Sequence, residues 1–443
     1  MSDLARLTAQ AALAGMEGDE ISSVELVEAC LAQVEAREST IQAFAYIDHA
    51  HALAQARAAD DARNSGRGVG PLNGLPVGIK DIIDTADQPT EHGFPAAFAG
   101  RQPREDAFLV AQLRAAGAVI LGKTVSSPLA NPGMIKTRNP LDDTRNPGTS
   151  SSGSAAAVAA AMVPVAVGTQ TAGSVIRPAS FCGVYGYKPT FGLVSRRGTL
   201  LQSQTLDTIG LLARSVEDLA LFTDAMSAHD PDDPVSYPRG RPQLLAATQS
   251  QVPAPPRFAF VKSPFWETAE PKVREAFDKL REVLGDQCHE IELVTLGDLF
   301  HGMQDVMSAE NAQHYGRLYD QHSDTMSEPA RASVERGRRV SAQRYLNAIA
   351  QRDVLYETID REILLTYSAI LTLSADSVAP KMDQPFTPNI SGVWTFLGMP
   401  AVSLPLIEVD GLPVGVQLVG ARRDDGRLLR TARWLTRRAA TLS

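Results

Sequence analysis

Apolar positions along this chain recur alternately at helical and at strand spacing. Leu26, Val27, Cys30, Leu31 and Val34 share one helical face, and Ser22 stands three residues before Glu25, the spacing of a capping box. Residues 74–84, ending in PVGIKDIID, read as a strand that carries Lys80 among apolar neighbours. Glu105 and Asp106 favour the start of a helix with Leu109 and Leu113 on one face, Gly117 is a C-cap, and residues 118–121 form a strand. The same alternation continues as a helix over 155–162 stopped by Pro164, a strand over 163–167, a loop and strand over 205–212 and a helix over 215–226. Further on come a strand over 257–261, a helix opened by Pro271 and running to 284, and a mostly helical segment over 297–365. Residues 402–409 and 414–419 flank Asp410-Gly411 as a hairpin, with Pro413 pointing to an edge strand or irregular turn. A terminal helix over 424–438 turns Leu428, Leu429, Ala432 and Leu435 inward and its arginines outward. Helices alternating with strands predict an α/β sheet.

Length and charge narrow the class. The chain has 443 residues, enough for a large core in one α/β unit or in two or three domains. Residues 230–242 and 252–256, rich in Pro, Asp and Gly, mark an irregular connector at the edge of the densest part. A net charge of −9 argues against general electrostatic attraction to nucleic acid or an anionic membrane. Cys30, Cys182 and Cys288 are widely spaced and form no CxxC, which suggests neither a disulfide framework nor a zinc site and fits a reducing cytoplasm. The first 17 residues lack the continuous apolar core of a secretory signal. The longest apolar run, 155–167, is too short for a membrane span and contains Pro164, so a soluble protein is expected. His301, His314 and His322 lack metal-ligand spacing and carry no assigned role.

The chemistry concentrates in residues 145–190, RNPGTSSSGSAAAVAAAMVPVAVGTQTAGSVIRPASFCGVYGYKPT. No charged side chain lies between Arg145 and Arg177, yet Ser, Thr and Gly crowd the stretch, as in a buried functional core. Residues 148–154 supply small residues and hydroxyls where the backbone turns tightly into a helix whose first N–H groups are free. Residues 168–174 form a second such turn, the raw material of an oxyanion hole. A Gly/Ser-rich phosphate cradle or a plain tight loop is the bland reading of this composition. Against the cradle, the stretch has no terminal Gly-Lys-Ser/Thr of a Walker motif and the chain no GxGxxG; nor is there a GxSxG nucleophile elbow.

NPGTSSSGSAAAVAA, then GTQTAGSVIRPASFCGVYGYKPT, with GLPVGIKD upstream at residues 74–81, resembles the amidase signature family, whose members hydrolyse amides with a Ser-Ser-Lys triad. The likeness is strong over residues 21–225 and looser over 386–435. It implies a single domain over 1–443 with a catalytic core segment at 20–226, built as a central mixed β-sheet with helices on both faces. It places the family's nucleophile on Ser174, its bridging serine, in a cis peptide, on Ser150, its lysine on Lys80, and its oxyanion N–H groups on Thr171, Ala172, Gly173 and Ser174. No metal or organic cofactor is implied. A small-molecule amide is the expected ligand, and a homodimer in the cytoplasm the expected state. Segment 297–365, the least family-like part, is expected to cover the substrate or to make a contact between subunits.

The chain departs from the commonest family pattern at Gln170, where many members have Asp, and at Ala172, where most have Gly. Arg177 lies three places after Ser174 rather than two, a spacing most similar to bacterial malonamidase, in which the Arg at that place binds a substrate carboxylate. That likeness points to a small linear amide bearing a carboxylate, because a guanidinium holds a carboxylate bidentately; a structural ion pair at Arg177 is the bland alternative. An aryl amide or carbamate substrate, or service as the amidase subunit of a tRNA-dependent amidotransferase, are the alternatives, and Gln170 and the shifted Arg177 speak against the last. Lys80 must be neutral to act as a base, whereas a free lysine has a pKa of about 10.4. Burial lowers it, and a depression of about three units corresponds to roughly 4 kcal/mol.

Overall fold

The computed structural model describes residues 4–66, 68–385 and 391–440. Helix α1 (Ser23–Ile41) starts on the expected capping box, with Ser22 accepting from the Glu25 N–H and the Glu25 carboxylate accepting from the Ser22 N–H. Strands β1 (Phe44–Ile47) and β2 (Pro76–Lys80), helix α2 (Phe108–Ala115) and strand β3 (Val119–Thr124) follow. The serine-rich turn leads into α3 (Ser152–Ala159), β4 (Val165–Gln170), α4 (Ile176–Cys182), β5 (Tyr185–Lys188), β6 (Thr208–Ala213) and α5 (Val216–Met226). Beyond the connector come β7 (Phe258–Phe260), α6 (Pro271–Leu284) and β8 (Cys288–Glu290), then the helices α7 (Leu296–His322), α8 (Glu328–Gly337) and α9 (Ala342–Ile359). The chain ends with β9 (Ala369–Leu373), α10 (Ser391–Phe396), the hairpin β10 (Ala401–Val409) and β11 (Leu412–Val419), and α11 (Asp425–Ala440).

Among the described residues, all eleven strands join one mixed sheet in the order β1-β3-β2-β4-β6-β5-β10-β11-β9-β7-β8. Strand periodicity puts alternate side chains on opposite faces, and each face is covered by helices. Val77, Ile79, Val165, Val167 and Leu211 pack on one side against α2, α5 and α11. Leu121, Ala166 and Leu212 pack on the other against α1, α3 and α4. This is the α/β architecture expected from the pattern.

Two local expectations are corrected. Residues 168–170 read as loop but extend β4, because Gly168, Thr169 and Gln170 pair with Gly210, Ile209 and Thr208 of β6; the ladder of a neighbouring strand overrides low strand propensity. Pro413 does not mark an edge strand: β11 lies between β10 and β9, and Pro413 sits at the hairpin end, beyond the β9 pairing at residues 416–419. Asp410 and Gly411, with φ of 51° and 77°, make the predicted turn. Part of the looser family-like stretch, residues 386–390, lies outside the described residues.

Candidate active site

Strands β2 and β4 are parallel neighbours, so their carboxyl ends open on the same rim, where ligands bind in open α/β sheets. Lys80 closes β2 and Gln170 closes β4. The Thr149–Ser150 peptide is cis. Glycines let the serine turn seat directly on the sheet. A Cβ at Gly168 would lie 2.8 Å from Ser151 Oγ, and one at Gly153 would lie 2.2 Å from the Ala43 carbonyl oxygen.

Lys80 is fully buried, with Nζ 2.7 Å from Ser150 Oγ and 2.8 Å from Thr169 Oγ1. Burial brings its pKa down to about 7, opposed by the negative charge of Asp207. The local sequence suggests an uncharged pocket, and Asp207 corrects that. It arrives from the chain before β6 and accepts from Thr171 Oγ1 at 2.5 Å and from the Gln202 and Ser203 N–H groups at 2.6 and 2.9 Å. Its own pKa is raised by burial, against those hydrogen bonds.

Ser174 lies in the turn between β4 and α4, at the wall of a cavity of about 300 Å³. Thr149, Thr171, Ala172, Gly173 and Arg177 border the same cavity, so it gathers the candidate oxyanion residues, the candidate substrate arginine and one flank of the cis peptide. Its far wall belongs to segment 297–365: Phe300, Met303 and Met307 form a stripe on α7, with Gln304 beside them and Ser333 on α8. Arg177 stands in the first turn of α4. Burial lowers its pKa to about 10, while the charge of Asp376 opposes this; Asp376 is pushed up to about 7 by its own burial, with Arg177 pulling it down. The arginine thus has both an acidic neighbour and a cavity face.

Gln170 braces the turn. Its Oε1 accepts from the N–H groups of Val175 and Ile176 at 2.9 and 3.0 Å, and its Nε2 donates to Thr395 Oγ1 of α10 at 3.0 Å. An aspartate could accept the same two N–H groups but could not donate to Thr395. Removing the brace in Gln170→Ala should lower kcat on an amide about 10²-fold with little change in KM, because misplacing a reacting group by about 1 Å costs that much. Steady-state kinetics would check it, and an unchanged kcat would show that the turn holds its shape unaided.

Thr169, Gln202, Asp207, Asp376 and Thr395 are not singled out by sequence reasoning. Asp207 offers a signal, a lone acid in the apolar run TLDTIGLL; the others become neighbours of the site only through the fold. Among the described residues no group of three His, Cys, Asp or Glu could hold a metal ion, and no helix is long and apolar enough to cross a membrane.

The architecture and this rim define a class of C–N bond-cleaving enzymes, and comparison with known proteins agrees. The amidase family model matches residues 25–429. A glutamyl-tRNA(Gln) amidotransferase subunit from Chloroflexus aurantiacus is 35% identical, over 97% of this chain and 96% of its own length. Its counterpart in Streptomyces coelicolor is 32% identical over 97% and 95%. Among solved structures, a protein from a vestigial complex bearing on the origins of an s-triazine catabolic enzyme superposes with a TM-score of 0.90 at 29% identity, covering 97% of this chain and 98% of that one. The native peptide amidase of Stenotrophomonas maltophilia gives 0.86 at 27% identity, with 98% and 97% covered. The chain belongs to the amidase family.

Proposed function

We propose that this chain hydrolyses a small linear amide carrying a carboxylate to the acid plus ammonia or an amine, through a Ser-cisSer-Lys triad and an acyl-enzyme. The observation that carries the reading is the buried Lys80 Nζ held 2.7 Å from Ser150 Oγ beside a cavity faced by Ser174. Neutral Lys80 draws a proton through Ser150 while Ser174 attacks the carbonyl carbon. The N–H groups of Thr171, Ala172, Gly173 and Ser174 stabilise the developing oxyanion. The relay returns the proton to the leaving amine, and water then releases the acid by the same path. Arg177 holds the substrate carboxylate, in keeping with its malonamidase-like spacing, and segment 297–365 closes the cavity over it.

A second reading is favoured by the relatives, which are subunits of glutamyl-tRNA(Gln) amidotransferases and match across nearly their whole length. In that setting the same chemistry acts on glutamine, itself a small amide with a carboxylate, and the tRNA is held by a partner. The likeness over the whole chain weighs more than the departures at Gln170 and Arg177, and either setting is compatible with the proposed triad.

Ammonia release from an acidic half-amide and from a neutral amide of equal size, measured on wild type and Arg177→Ala, tests the substrate. The variant should raise KM for the acidic amide about 30-fold or more, the worth of about 2 kcal/mol for a charge-assisted hydrogen bond, and leave the neutral amide nearly unaffected. Equal effects on both substrates would remove Arg177 as a carboxylate clamp. Hydrolysis of half-amides by the isolated chain supports the simple amidase. Activity confined to glutamine, in the presence of a partner and charged tRNA, supports the amidotransferase role.

A further inference from the structure

Helix α9 forms the outer layer of segment 297–365 and presents an apolar stripe to solvent. Leu346 and Val354 are 62% and 64% exposed, with exposed Ala350 midway between them at i, i+4, i+8 spacing. Beside the stripe runs a groove of about 390 Å³ between α9 and the start of α7, bordered by Thr295, Asp298, Ala350, Gln351, Val354 and Leu355. Val294, next in the chain to Thr295, and Leu365, a few residues past the end of α9, are 81% and 76% exposed. Large aliphatic side chains grouped in this way mark an interaction surface more often than isolated ones do.

The chemistry of the stripe is symmetric about Ala350. Four residues to either side stand aliphatic Leu346 and Val354; three to either side stand Asn347 and Asp353; seven to either side stand Gln343 and Glu357. Gln343, Asn347, Asp353 and Glu357 are all exposed. Within the chain, Asp353 reaches Arg422 at 2.9 Å and Glu357 reaches Arg361 at 3.6 Å, exposed pairs that leave carboxylate oxygens able to accept more bonds. A second α9 laid antiparallel, with a twofold axis through Ala350, sets two amides against two carboxylates, Gln343 against Glu357 and Asn347 against Asp353. It sets Leu346 against Val354, at the mouth of the groove. Knob and hole then lie on opposite sides of the axis on each copy, as a self-complementary twofold contact requires. The small Ala350 lets the two helices approach at the centre.

We propose that this face is the contact between two copies of the chain, paired antiparallel through α9 in the register centred on Ala350. A single helix stripe is smaller than the roughly 800 Å² per partner of a stable interface, so the contact includes the surface around Val294 and Leu365. The proposal is independent of the amidase reading, since no residue of the stripe borders the Ser174 cavity.

Sedimentation equilibrium on the purified chain tests it. Wild type should behave as a particle of twice the 47.5 kDa chain mass. Leu346→Glu and Val354→Glu should each sediment as monomers with an unchanged far-UV circular dichroism spectrum, which separates loss of pairing from loss of fold. Asn347→Asp sets like charges against each other across the axis and should raise the dimer dissociation constant at least about 10-fold. Adding Asp353→Asn to it restores one amide and one carboxylate to each pair and should restore dimerisation. A monomeric wild type would overturn the proposal and leave the face to a different protein or to solvent. Dimers that survive Leu346→Glu, or that ignore Asn347→Asp, would place the contact elsewhere.

Discussion

Ser174→Ala is expected to lower kcat for amide hydrolysis by about 10⁴- to 10⁶-fold, the scale of removing a nucleophile that acts in concert with its base. The change removes one oxygen from the turn that also carries the candidate oxyanion N–H groups, at the wall of a cavity already open to solute. Binding and fold should therefore survive, with KM and the thermal midpoint close to wild type, and only the attack on the carbonyl is lost. Ser150→Ala should fall in the same direction by less, because a water molecule can bridge part of the gap between Lys80 and the attacking hydroxyl. Ammonia release at saturating substrate reads the loss directly. Retention of even a tenth of wild-type turnover by Ser174→Ala would rule out the acyl-enzyme route.

The second large effect concerns Lys80 and has two signs. As a base it works only when neutral, so kcat/KM should rise with pH through about 7, and Lys80→Met should abolish activity and that acid limb together. Stability from this group also depends on pH. The folded state holds Lys80 at about 7, whereas the unfolded chain titrates it near 10.4, so between those values the unfolded state binds a proton that the folded state does not. Wild-type stability from this group therefore rises with pH across that window and is lowest below it, where ionisation opposes folding by about 4 kcal/mol. Lys80→Met lacks that contribution. Its stability relative to wild type should be highest near pH 6 and fall by about 4 kcal/mol by about pH 10.4, measured by denaturant unfolding at several pH values. A pH-independent difference would mean that Lys80 is not held neutral by burial. Lys123 and Lys188, brought down by burial to about 8 and about 7, remain in both proteins and cancel in the comparison.

Local signals are legible where a feature depends on neighbours in the chain. The Ser22–Glu25 capping box, the Pro271–Leu284 helix and the Asp410-Gly411 turn each follow from residues a few positions apart, and each forms as read. Segment 297–365 reads in the sequence as helical and as either a cover for the substrate or a subunit contact, and α7 and α8 border the cavity. The end of β4 is not legible, because Gly168, Thr169 and Gln170 become strand only when β6 supplies their partners, about 40 residues later in the chain.

The sequence by itself determined the α/β alternation, the capped helices and the serine-rich turns, because periodicity, caps and turn chemistry act over short spans. It also placed Lys80, Ser150 and Ser174 together as candidates, through a family likeness rather than through any spacing that brings a strand-end lysine to a serine 70 positions away. Only the tertiary structure decided what surrounds them. Thr395 reaches Gln170 across 225 positions, and Asp207 reaches Thr171 across 36. Those contacts follow from strand order and from the burial that packed layers impose. The same burial brings Lys80 to about 7, since desolvation is a property of the packed interior and not of any stretch of chain.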